Sequence, residues 1–130
     1  MNPMWIDMPQ TKEEHREYVK NYLKDPIKHG LHKKRMREHR VKQRKLLRIK
    51  INSLLGNRCI RCGFSDPRAL QIDHVNNDGY LERKKIRDDI ERLKYILQKI
   101  ESGSKDYQLL CANCNQIKVF EQKEIEHGVS

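Results

Sequence analysis

Residues 59–62 read CIRC and residues 111–114 read CANC, so the 130-residue chain places all four of its cysteines in two identically spaced pairs. Two C-x-x-C turns can supply four thiolates to one tetrahedral zinc ion, which closes its coordination and makes it structural rather than catalytic. The spacing therefore predicts a fold in which Cys59, Cys62, Cys111 and Cys114 meet, although residues 63–110 separate the pairs. A single C-x-x-C can also be a redox pair, but the chain lacks the βαβ pattern that goes with one. Four cysteines also suit an iron–sulfur cluster. Of the six histidines only His74 lies between the pairs, and using it as a zinc ligand would orphan one thiol.

Composition explains why such an ion is needed. Hydrophobic residues make up 36% of the chain and charged residues 35%, which is lean for a self-sufficient core. No stretch is apolar and long enough to span a membrane. The opening MNPMWIDMPQTKEEH has neither a basic n-region nor an apolar h-region. The expectation is a protein of a reducing, cytoplasmic compartment (the host cytoplasm if phage-encoded), where paired cysteines bind metal rather than form disulfides.

The net charge of +10 sits in one block. Residues 1–26 sum to −1, residues 27–56 to +10 and residues 57–130 to +1. Such a concentration is the electrostatic footprint of a polyanion binder, although a basic run can also be a solvated helix face or a disordered arm. The candidate phosphate contacts are Lys33, Lys34, Arg35, Arg37, Arg40, Lys42, Arg44, Lys45 and Arg48, with Lys118 further along. Lys118 also reads as a plain solvated lysine.

Thr11 and Glu14 fit a capping box that opens a short helix, stopped at Asp25-Pro26. A second helix is expected from Leu31 to Leu55. Its first half has almost no apolar stripe, and its second half docks through Leu47, Ile51 and Leu54, leaving the basic half projecting. Gly56 is a plausible stop. ALQIDHV (69–75) and YQLLC (107–111) read as strands, NNDG (76–79) as a turn, and residues 112–127 as a closing helix before Gly128. Residues 81–101 read as one helix with Ile86, Ile90, Leu93, Leu97 and Ile100 along a narrow seam. That seam packs on the chain's own core or, alternatively, forms a homodimer. The domain expectation is a basic helical extension over residues 1–56 and a zinc-bound domain over residues 57–130.

The order CIRC, LQIDHVNNDG and YQLLCANCNQIK resembles the zinc-bearing HNH endonucleases, the ββα-metal nucleases common in phages and mobile introns. The resemblance covers about residues 57–120. It implies an α+β fold with a ββα-metal core, an inserted amphipathic helix and an N-terminal basic helical extension. It also implies hydrolysis of DNA phosphodiesters to a 5′-phosphate and a 3′-hydroxyl, with a homing, packaging or restriction role. His74 would be the general base, since a neutral imidazole can take a proton from water. Asp73 and Asn115 offer hard oxygen ligands to a catalytic Mg²⁺ or Mn²⁺ beside the structural Zn²⁺. Asn115 stands at the family's third motif position. Asp106 stands where the family usually has the asparagine that supports the histidine. The alternative of another class is a zinc-stabilised DNA-binding module without catalysis, such as a regulator or packaging accessory. An RNA substrate ranks last, because the basic stretch has little aromatic interleaving for base stacking.

Overall fold

The computed structural model describes residues 11–127, so Gly128 lies outside the described residues. The chain divides into two compact units, with the boundary along the sequence between Lys42 and Gln43. The elements in order are α1 (Lys12–Tyr22), α2 (Pro26–Leu54), a 3-10 turn at Pro67–Ala69, β1 (Leu70–His74), α3 (Gly79–Lys85), α4 (Asp89–Glu101), β2 (Tyr107–Cys111) and α5 (Ala112–His127). The protein is a small α+β fold, mostly helical, with one two-stranded antiparallel sheet. Among the described residues, no helix is long and apolar enough to cross a membrane.

In the first unit, Thr11 caps α1 through the expected reciprocal pair: its hydroxyl accepts from the Glu14 amide and its own amide donates to the Glu14 carboxylate. Tyr18 and Tyr22 stack at 6.3 Å on one face. The next helix begins five residues earlier than expected from sequence. α1 already ends at Tyr22, ahead of Asp25-Pro26, and Pro26 opens α2, because proline at the first helical position gives up an amide that had no partner there. Asp25 completes the start by accepting from the amides of Ile27 and Lys28.

The second unit takes in the last turns of α2, earlier than the expected boundary after Gly56. Burial explains this placement. Ile51 is fully buried with Leu93, Ile96 and Tyr107, and Leu47 and Leu55 pack against that cluster. α2 stops in a paired-bond C-terminal motif, with the Asn57 amide donating to the Asn52 carbonyl and the Gly56 amide to Ser53. Gly56 supplies the left-handed residue this requires, at φ +97°.

The expected helix over 81–101 is two helices. Asp88 lies in extended backbone and caps the amide of Glu91, starting α4 afresh, and Arg92 ties down the carbonyls of Ile86 and Arg87 between the two segments. A capping aspartate at that point outcompetes helix continuation. The seam survives in α4, where Ile90, Leu93 and Ile96 are buried and Leu97 and Ile100 lie against the chain's own core. That apolar surface is used within the chain.

β1 and β2 pair in the register Leu70–Cys111, Ile72–Leu109 and His74–Tyr107. Leu70, Leu109 and Leu110 join Cys59, Cys111 and Cys114 in a second cluster. With so few large side chains buried, each carries much of the stability. Replacing Ile51 with alanine is expected to cost about 3 kcal/mol of unfolding free energy in urea titration. The same change at exposed Leu46 should stay within about 0.5 kcal/mol.

Candidate functional site

Cys59 and Cys62 lie on a tight turn whose backbone is closed by Cys59 N–H to Phe64 O (2.8 Å) and Gly63 N–H to Cys59 O (2.9 Å). Ile60 N–H reaches Leu109 O (2.9 Å), which fastens that turn to β2. Cys111 is the last residue of β2 and Cys114 sits in the first turn of α5. The Cys114 amide donates to Cys111 Sγ at 3.4 Å, so that sulfur sits at a helix N-terminus, where negative charge is favoured.

All four sulfurs lie within 4.8 Å of one another, with Cys62 and Cys111 at 3.6 Å, and none is in a disulfide. Zinc–thiolate bonds of ~2.3 Å in a tetrahedron place sulfurs about 3.8 Å apart, so the cluster fits a structural metal such as zinc. Burial pushes the Cys59 thiol up, but backbone hydrogen bonds with Cys111, Cys62 and Arg61 outweigh it and bring it down to about 6. Cys114 is held up, to about 12, by its hydrogen bond with the Cys111 side chain and by burial. One sulfur is thus disposed to be a thiolate while a neighbour keeps its proton, and a bound cation would draw the remaining protons off. His74 is not part of the cluster.

The cluster anchors β2 and α5 beside the start of β1, where Leu70 faces Cys111. At the far end of β1 a cavity of about 230 Å³ opens, and Asp73, His74 and Asn115 all line it, with Asn77, Gly79 and Arg83. Asp73 and His74 point to opposite faces of the strand, as adjacent strand residues must. The Asp73 carboxylate accepts from Gln108 Nε2 (2.8 Å) and Lys118 Nζ (2.5 Å). Lys118 also donates to the His74 carbonyl (2.8 Å). Lys118 and Asp73 are both only 12% exposed. This lysine is therefore neither solvated nor a ready phosphate contact. Asn115 Nδ2 is bonded to Gln71 Oε1, which leaves its carbonyl oxygen as the amide's acceptor.

The His74 ring meets Tyr107 edge-on at 5.1 Å, and its Nε2 lies 3.2 Å from Glu82 Oε2. Tyr107 donates its hydroxyl to the same carboxylate oxygen (2.6 Å). Burial, and then the Glu82 carboxylate, raise the Tyr107 pKa well above its usual value, so it remains a donor. Asp106 does not support the histidine as the motif suggested. Its carboxylate takes the Ser104 hydroxyl (3.1 Å), and its carbonyl pairs with the Val75 amide (2.9 Å). The ladder sets Tyr107, one residue later, opposite His74.

Sequence reasoning missed Glu82 and Tyr107. The sheet register alone could have found Tyr107. Glu82 lies among Arg83, Lys84 and Lys85 and gives no sign in sequence that its side chain is 11% exposed.

The basic residues divide. Lys33, Lys34, Arg35, Arg37, Lys42 and Lys45 are exposed on α2, while Arg40 is half-buried. Arg44 pairs with Asp89 at 2.6 Å, and Arg48 donates to the Leu70 carbonyl at 2.8 Å from a half-buried position. These last two make contacts within the fold.

Comparison with family models, curated proteins and solved structures gives no match. The site therefore rests on its own geometry.

The purified protein is expected to hold one zinc per chain by elemental analysis. Stripping it with a strong chelator, or replacing Cys111 with serine, should lower the thermal midpoint and loosen the sheet, as followed by circular dichroism.

Proposed function

We propose that the chain is a metal-dependent DNA endonuclease of the zinc-bearing HNH type. The observation that carries this reading is the 230 Å³ cavity, which gathers a carboxylate, an imidazole and a carboxamide at one end of β1, on a sheet whose other end meets a four-cysteine cluster. A phosphodiester resists hydrolysis because its charge repels the nucleophile and its alkoxide leaves poorly. His74 would take the proton of the attacking water. Asp73 and the Asn115 carbonyl oxygen would hold Mg²⁺ or Mn²⁺, which supplies charge stabilisation at the phosphate and the leaving oxygen.

The donor set suits a hard cation. The Asp73 carboxylate and the His74 carbonyl already enclose a positive group, the Lys118 ammonium. An ion at Asp73 would take the place of that ammonium. Affinity for DNA would come from the exposed Lys33, Lys34, Arg35, Arg37, Lys42 and Lys45, through phosphate neutralisation. Arg83, which lines the cavity, would be available to a phosphate oxygen.

The Asp73–Lys118 pair also favours a second reading. A zinc-stabilised DNA-binding module would keep that pair as a permanent structural contact and would need no metal beyond zinc.

Supercoiled plasmid separates the two readings. With Mg²⁺ or Mn²⁺ the protein is expected to nick or linearise it, and His74→Ala should reduce cleavage by at least about 10²-fold while leaving zinc content intact. Plasmid that is retarded but uncut under every divalent metal would support the binder.

Replacing Arg37 with alanine should flatten the log–log salt dependence of DNA binding by about one phosphate contact. Arg44→Ala should instead change stability and leave that slope unaltered.

A further inference from the structure

We infer that Glu82 is a positioning residue for His74, fixing the imidazole as its Nε2–H tautomer so that Nδ1 is the proton-accepting nitrogen. The inference rests on the nuclease reading for its catalytic meaning, but not for its structural content.

His74 Nε2 is fully enclosed and has no aligned hydrogen-bond partner. Beside it lies an acceptor, Glu82 Oε2, at 3.2 Å. Were Nε2 unprotonated, its lone pair would face a carboxylate oxygen in a setting where His74 and Glu82 are only 16% and 11% exposed. Two acceptors held that close without a proton repel each other, and burial strengthens the repulsion. The proton therefore belongs on Nε2.

A neutral imidazole then keeps its lone pair on Nδ1. That edge of the ring lies at Gly79, where an added Cβ would come within 2.8 Å of Nδ1. Gly79 lines the same cavity as Asp73 and Asn115. The enclosed nitrogen cannot reach water, and the nitrogen beside the cavity is the one left to accept a proton.

Tyr107 holds the other side of the device. Its hydroxyl donates to Glu82 Oε2 at 2.6 Å, and its ring meets the imidazole edge-on. Glu82 is thereby anchored by a residue of β2, and His74 by a residue of α3. The asparagine expected of the motif is replaced in this chain by a carboxylate on the inserted helical segment.

The test is the nitrogen spectrum of His74, recorded on the zinc-loaded full chain by ¹⁵N–¹H correlation at a pH where the ring is neutral. The wild-type protein should show the Nε2–H pattern, and Glu82→Gln should lose its dominance. In the plasmid assay Glu82→Gln should lower kcat on the order of 10²-fold with KM unchanged, since the variant disturbs the base and not DNA binding. A wild-type ring in the Nδ1–H form overturns the inference, and that result needs no variant to fold. So does a Glu82→Gln protein that keeps both the wild-type nitrogen pattern and the wild-type rate while His74→Ala is inactive. A wild-type protein that cuts no DNA under any divalent metal would sink the nuclease reading alone, because the nitrogen shifts still decide the tautomer.

Discussion

Four sulfurs within 4.8 Å hold together two segments that the chain keeps far apart, and the rest of the second unit is arranged around that meeting. A two-stranded sheet is marginal in water unless something covers it or ties its ends. Here the tie lies at one end of the ladder, where Leu70 faces Cys111. The turn bearing Cys59 and Cys62 is fastened to β2 by the Ile60–Leu109 hydrogen bond, so the cluster also fixes where α5 departs from the sheet. Apolar packing alone is thin: the cluster around the cysteines adds only Leu70, Leu109 and Leu110 as large buried side chains. A metal that binds only the folded form contributes its binding free energy to folding, which suits a chain whose core is small.

From that anchored end, the far end of β1 acquires its chemistry through strand alternation. Asp73 and Gln71 turn toward the helix that follows β2, where Lys118 and Asn115 meet them. His74 turns the other way, into the corner made by α3 and Tyr107. Two neighbouring residues are thereby given separate supports. They come together again only because the strand ends at His74 and the backbone turns at once, with Asn77 in the left-handed region at φ 58°. The cavity lies at that turn.

Much of this was legible in the residues. The cysteine spacing announced the cluster, the apolar runs in ALQIDHV and YQLLC announced the strands, and Thr11 with Glu14 announced the first cap. These signals are local, or repeat a pattern that chemistry allows only a few ways to satisfy. What stayed hidden depends on tertiary placement. Asp88 looks like any polar residue on an amphipathic helix until its carboxylate caps Glu91. Glu82 sits in a run of charges that reads as solvated, yet it is buried against an imidazole and a phenol. Arg44 and Arg48 belong by composition to the basic block, yet on a half-buried face of the helix they pair with Asp89 and the Leu70 carbonyl. Charge counting cannot tell a cation facing solvent from one holding a backbone carbonyl.

The Asp73–Lys118 contact is where the two functional readings part. A carboxylate 12% exposed needs a compensating cation or several donors, and here it has Lys118 and Gln108. Lys118 is one turn beyond Asn115 on α5, so the helix that carries the carboxamide toward the cavity also carries the ammonium toward the carboxylate. A divalent ion would satisfy the same electrostatic demand with twice the charge and would release the ammonium. In an enzyme, a released Lys118 would remain next to the cavity, where a phosphodiester brings negative charge of its own. In a passive binder the same lysine would never leave. The residues are identical in the two cases, and what differs is whether Asp73, with the Asn115 carbonyl oxygen, binds a metal ion more strongly than it holds its own lysine.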